Sequence, residues 1–177
     1  GPTNGFLAFP LPGTRFMVTG RENSALRVQL SDTLSGWIEA KDVELSSGTT
    51  PRAVTGTIGV AKTDLGATVK IGLSDKVAFD VEPSAGLDAV TVRLYNSIGH
   101  TNWMINDAPE FVQEIRWRQE TTDVVAVTIL LKPTETVWGW WPSYDGGYLR
   151  LELRRTPNIF NSKPLSGIKV MLDPGHM

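Results

Sequence analysis

Apolar and polar residues alternate along most of this chain, and the three-to-four-residue spacing of an amphipathic helix is nearly absent. Val77, Phe79 and Val81 interleave with Lys76, Ala78, Asp80 and Glu82; Val90, Val92 and Leu94 interleave with Thr91, Arg93 and Tyr95. Val125, Val127, Ile129 and Leu131 make a third stripe, and Leu149, Leu151 and Leu153 alternate with Arg150, Glu152 and Arg154. A period of two sends successive side chains to opposite faces, so each stripe predicts a half-buried strand. Ile58 and Val60, then the turn Lys62 to Gly66, then Val69, Ile71 and Leu73 predict a hairpin. Further turn signals stand at Ser74-Asp75, at Pro83 to Asp88 and at Asp145-Gly146-Gly147, where Asp-Gly suits the positive φ of a tight hairpin. Short strands at this spacing predict an all-β protein with antiparallel sheets in a sandwich or barrel. One helical turn is expected, around Ala108 to Gln113.

Three parts follow from the punctuation. Residues 2–45 carry short strands at Arg15 to Thr19, Ala25 to Leu30 and Gly36 to Ala40. Ser46 to Pro51 is small and polar, a linker composition. Residues 54–156 hold the regular stripes. The third part, 157–177, opens with a second connector, 157–167, carrying Pro157, Asn158, Asn161, Pro164 and Gly167, and continues as a strand Ile168 to Leu172 and then Asp173-Pro174-Gly175-His176-Met177. The chain opens Gly1-Pro2-Thr3 with no initiator Met, which points to a piece of a longer protein.

Composition narrows the function classes. The 177 residues are 41% hydrophobic and 20% charged, close to a globular average. A net charge of −2 with no Lys/Arg run gives nucleic acid or an anionic membrane surface little to bind. No apolar run approaches the ~20 residues that span a bilayer. With no cysteine, disulfides, thiolate nucleophiles and Cys-ligated metals are all excluded.

The densest chemical feature is aromatic: Trp138, Trp140, Trp141, Tyr144 and Tyr148 fall within eleven residues around an expected hairpin. Strict alternation puts Trp138 and Trp140 on one face and Val137 and Trp141 on the other. One face enters the core; the other, if exposed, offers flat rings for stacking on sugars, with Trp103 as an additional ring. The more ordinary outcome for such rings is to pack the sandwich or cover its edge, and a contact with another domain is a third. Trp37 is expected in the core of the front part. Arg116, Arg118, Arg150, Arg154 and Arg155 read as a solvated sheet face or as partners for peptide carboxylates. Glu110 and Glu114 read as exposed charges, and His100 as a solvated loop residue.

The segment Gly167-Ile168-Lys169-Val170-Met171-Leu172-Asp173-Pro174-Gly175-His176 resembles the opening of zinc-dependent N-acetylmuramoyl-L-alanine amidases, whose first buried strand ends in Asp-Pro-Gly-His. That family usually continues with Gly where Met177 stands here. Residues 54–156 resemble the AMIN β-sandwich that precedes such amidases, through Ala67 to Leu73, Ala78 to Val81, Ala89 to Leu94, Val112 to Trp117 and Tyr148 to Leu153. Ala25 to Leu30 followed by Ser35-Gly36-Trp37-Ile38-Glu39-Ala40-Lys41-Asp42-Val43 resembles the end of a bacterial SH3-like barrel. The resemblance implies a partial SH3-like barrel at 2–45, an AMIN-like sandwich at 54–156, and the start of a catalytic domain within 157–177. It implies zinc in the longer parent, with His176 as first ligand and Asp173 supporting the loop, and no catalytic residue or cofactor in the part at hand. The implied partner is peptidoglycan, in the periplasm or outside the cell. The rival expectation is a regulatory or structural β module that docks on the hydrolase domain of the same chain or on a partner protein.

Overall fold

Residues 8, 10–50 and 52–157 are described in a computed structural model of the chain. The linker and strand expected beyond Pro157, with Asp173 and His176, lie outside them. Thirteen strands are present among the described residues, and the only helical element there is a single 3-10 turn at Ala40–Asp42. The strands are β1 (Met17–Glu22), β2 (Ala25–Gln29), β3 (Ser35–Glu39), β4 (Ala53–Thr63), β5 (Gly66–Leu73), β6 (Phe79–Pro83) and β7 (Ala89–Tyr95). They continue with β8 (Ser97–Ile98), β9 (Met104–Asp107), β10 (Val112–Thr121), β11 (Val124–Leu131), β12 (Val137–Asp145) and β13 (Tyr148–Arg155).

The expected stripes become the inner faces of two sheets. One sheet runs β10-β11-β7-β6; the other runs β12-β13-β5-β4, with the short β8 and β9 both paired parallel to β4. Every other pairing is antiparallel. Val90, Val92 and Leu94 of β7 and Val125, Val127 and Ile129 of β11 share one core with Ile58, Val69, Ile71, Leu149, Leu151 and Leu153 of the other sheet. Each is almost fully withdrawn from solvent. Burying such a side chain contributes about 1.5–3 kcal/mol, so this core dominates the stability.

The β4–β5 hairpin turns at Asp64-Leu65 and re-enters the sheet at Gly66, whose φ is +148°. A Cβ at Gly66 would collide with the Leu153 carbonyl oxygen on β13, so the close approach of β13 to β5 requires a glycine here. The β12–β13 loop is Gly146-Gly147, with Gly146 at φ +57°, the left-handed conformation expected of that turn.

The front part is a three-stranded antiparallel sheet, β1-β2-β3. It is tied to the sandwich by a small apolar cluster, Leu30 with Ala78, Tyr95 and Val124, flanked by Phe16 and Leu34. A polar clamp adds to this. The buried Asp123 carboxylate accepts the Asp32 backbone N–H at 2.6 Å. The Asp32 carboxylate in turn accepts Arg52 at 2.7 Å and Thr122 at 3.0 Å. Those two donors hold the Asp32 carboxyl below its usual range, Thr122 first.

Two expectations are corrected here. Residues 108–113 do not form a helix. Phe111 and Val112 both donate to the Ala108 carbonyl, closing one turn, and Val112 already begins β10. Trp37 is not a core residue. It is 37% exposed, because it pairs with Arg27 on the face of β2–β3 opposite Val28 and Leu26.

Candidate ligand-binding face

β12 is the outer strand of its sheet, and its register breaks once. Val137 pairs with Arg155 and Gly139 with Arg154, so Trp138 is an extra residue, a β-bulge. The bulge overturns the expected assignment of faces. Val137 is buried, and Trp140, opposite Leu153, packs against the core. Trp138 and Trp141 stand outward, 68% and 70% exposed. The outward pair is therefore Trp138 with Trp141, three residues apart, and not Trp138 with Trp140. Gly139 follows the bulge, and a Cβ there would meet nothing within 4 Å apart from its chain neighbours, so no other element covers this point of the strand.

The other aromatic candidates divide. Tyr148 is 44% exposed on the outer face, one strand in from Asp145. Tyr144 is on the inner side. Its hydroxyl donates to the Val77 carbonyl at 2.7 Å and accepts the Val77 N–H at 2.9 Å, and its ring meets Phe79 edge-on with centroids 6.3 Å apart. Burial pushes its phenol up to about 12 against a smaller opposing effect of the Val77 hydrogen bond. Tyr144 is thus a structural residue. Trp103 is 64% exposed, far across the sheet before β9; it does not join the β12 pair, since β13, β5 and β4 intervene.

Polar groups share this outer face with the rings: Arg150 and Glu152 of the alternating stripe, with Thr68, Lys70 and Ser143 beside them. Trp141 lies opposite Glu152, which lies opposite Thr68; Ser143 lies opposite Arg150, which lies opposite Lys70. Arg150 and Glu152 pair at 2.8 Å, and Lys70 reaches Asp145 at 3.5 Å and sits 5.8 Å from the Tyr148 ring centre. Next to them the floor is small, with Gly59 opposite Lys70 and Ala61 opposite Thr68. The face combines flat apolar rings with charged donors and acceptors, an arrangement suited to a polyhydroxylated ligand: sugar C–H faces on the rings, hydroxyls on the ion pairs.

The opposite sheet offers no such rings outward. Its outer face is a charge ladder in which Arg93 contacts Asp80, Glu82 and Glu120. Arg116 pairs with Glu114 and Arg118 with Glu120. Burial alone would raise the Glu120 carboxyl, but Arg118 and Arg93 outweigh it and hold the group down. Glu110 pairs with Lys62, and His100 is exposed with its backbone N–H on Thr55. Among the described residues no three His, Asp or Glu side chains are grouped to hold a metal ion, and no helix is long and apolar enough to cross a membrane.

No family model, curated protein or solved structure matches the chain.

Proposed function

We propose that this chain is a peptidoglycan-binding, targeting region of a zinc-dependent N-acetylmuramoyl-L-alanine amidase, built from an SH3-like part and an AMIN-like sandwich, and that it acts in the cell envelope by positioning rather than by catalysis. The outward pair Trp138 and Trp141 carries this reading: two large rings are left more than two-thirds exposed on a structured strand beside Arg150, Glu152 and Lys70. Leaving such apolar area in water stabilises nothing in the isolated fold, and a glycan strand gives it a partner. The order of parts agrees with the Asp173-Pro174-Gly175-His176 motif that follows them. In that reading His176 and zinc belong to the hydrolytic centre of the longer parent, and no hydrolytic step involves the described residues.

The test is co-sedimentation with intact peptidoglycan sacculi. Trp138→Ala/Trp141→Ala removes both rings without touching Trp140, which the core needs. Losing an aromatic anchor typically costs about 2 kcal/mol, or roughly 30-fold in affinity, so the wild type pellets and the folded double variant stays in the supernatant. Equal pelleting of the two, or pelleting of neither, overturns the reading.

One observation favours the docking alternative. Trp103, Met104 and Ile105 are consecutive, apolar and 64%, 46% and 40% exposed at the β9 side of the sheet. As a contact for the hydrolase domain of the same chain they would leave sacculus binding intact. Trp103→Ala/Ile105→Ser would then raise hydrolysis by the longer parent; unchanged hydrolysis rejects this alternative.

A further inference from the structure

A cleft of about 260 Å³ lies at the seam between the front sheet and the sandwich. Its apolar wall includes Phe16 and Leu30, and its rim carries Arg15, Lys76 and Asp75. Lys76 is already engaged, donating to the Pro12 carbonyl at 3.1 Å and lying 5.4 Å from the centre of the Tyr144 ring. Arg15 is different: among the described residues its guanidinium has no hydrogen-bond or ion-pair partner. The half-buried side-chain amide of Gln29, also lining the cleft, has none either. Asp75 accepts a 3.3 Å hydrogen bond from Ser74 and keeps further acceptor capacity.

The cleft is thus lined by an exposed guanidinium at its rim, a half-buried amide and a half-buried carboxylate, groups with capacity left to hydrogen-bond a ligand that enters it. The guanidinium fork takes a carboxylate through two parallel hydrogen bonds, and Lys76 adds a second positive charge. Gln29 and Asp75 offer what a peptide group needs, a donor with an acceptor for its carbonyl and N–H. The nearby negative charge of Asp75 disfavours a dianion such as phosphate. The volume is just under the ~300 Å³ where small-molecule sites begin, room for one or two residues.

We propose that this seam cleft is a second binding site, which takes the free carboxylate end of a short peptide. The site is distinct from the Trp138–Trp141 face and does not depend on the wall-binding reading.

The test uses the whole 177-residue chain and isothermal titration with N-acetyl-alanyl-alanine as the free acid, its C-terminal amide, and acetate. The free acid binds; the amide and acetate bind about tenfold more weakly or worse, since each lacks half of the recognised chemistry. Arg15→Gln weakens the free acid by about tenfold as well, Gln29→Leu weakens it independently, and Trp138→Ala/Trp141→Ala leaves it unchanged. The proposal fails if the amide binds as well as the acid, if acetate alone matches the dipeptide, if Arg15→Gln binds normally, or if the free acid gives no saturable heat.

Discussion

Removing one oxygen atom, the Tyr144 hydroxyl, separates a structural role from a ligand-binding one. That hydroxyl closes a ring with both backbone groups of Val77, donating at 2.7 Å and accepting at 2.9 Å. Val77 is 4% exposed, so Tyr144→Phe strands a backbone N–H and a carbonyl. Each orphan costs about 1–3 kcal/mol when fully buried. Tyr144 and Val77 also line the seam cleft, and water entering it in the variant would satisfy part of each orphan, which places the expected loss near the low end, about 2 kcal/mol in all. The urea midpoint should fall by that loss divided by the slope, about 1 M for a slope of about 2 kcal/mol/M, with the slope itself unchanged. The pH dependence gives a second readout. The phenol, held near 12 by burial, ionises at about 10 in an unfolded chain. The folded state therefore favours the protonated form. The contribution is complete below pH 10 and is lost as pH rises through 12, by ~2 kcal/mol after allowance for partial exposure. Burial first, then the Asp80 charge, also raises Tyr95, so the difference between wild type and Tyr144→Phe isolates the Tyr144 share. An unchanged urea midpoint, or parallel pH profiles for the two proteins between pH 10 and 12, would refute the assignment.

Gly66→Ala forces a Cβ onto the Leu153 carbonyl at a φ that L-residues avoid; it should cost about 3 kcal/mol or more, read as a fall in melting temperature, and a wild-type melt would show that β13 does not pass so close. Asp123→Ala strands the Asp32 N–H and should cost about 1–3 kcal/mol. Hydrogen exchange should speed up at Asp32 and through β1–β3 while Ile129 stays protected, and a uniform change across the chain would reject the clamp as a local device.

Strand existence was legible in the sequence because the core is built from a period of two. Val90, Val92 and Leu94 point inward as alternation demands. The aromatic site was legible in its residues but not in its geometry. Inserting one residue in β12 changes which tryptophans share a face, and nothing local to Val137-Trp138-Gly139 announces a bulge beyond the glycine itself. Trp37 was misassigned for a related reason: with Trp37 and Ile38 adjacent on β3, only one can face Leu26, and Ile38 does. Arg15 and Gln29 carried no signal, because their significance arises where the front sheet meets the sandwich, and no short-range pattern encodes that meeting. The turn at Ala108 begins as a helix would, with two amides on one carbonyl, and stops because Val112 and Ile115 are taken into the core through β10.

The pairing of β13 with β5 joins residues about eighty positions apart, Arg154 with Gly66 at one end and Tyr148 with Gly72 at the other. The β4–β5, β10–β11 and β12–β13 hairpins can each close locally, but this central join carries a long loop-closure cost. During synthesis, β5 is thus made early and waits with one hydrogen-bonding edge bare until the last described strand arrives. A nascent or truncated chain that stops short of Tyr148 exposes the Ala67, Val69 and Ile71 stripe beside an unpaired edge, the combination most prone to pairing with a neighbour. Trp138 and Trp141 become a rigid surface only after that join is made, so an incomplete chain has no rigid platform to offer.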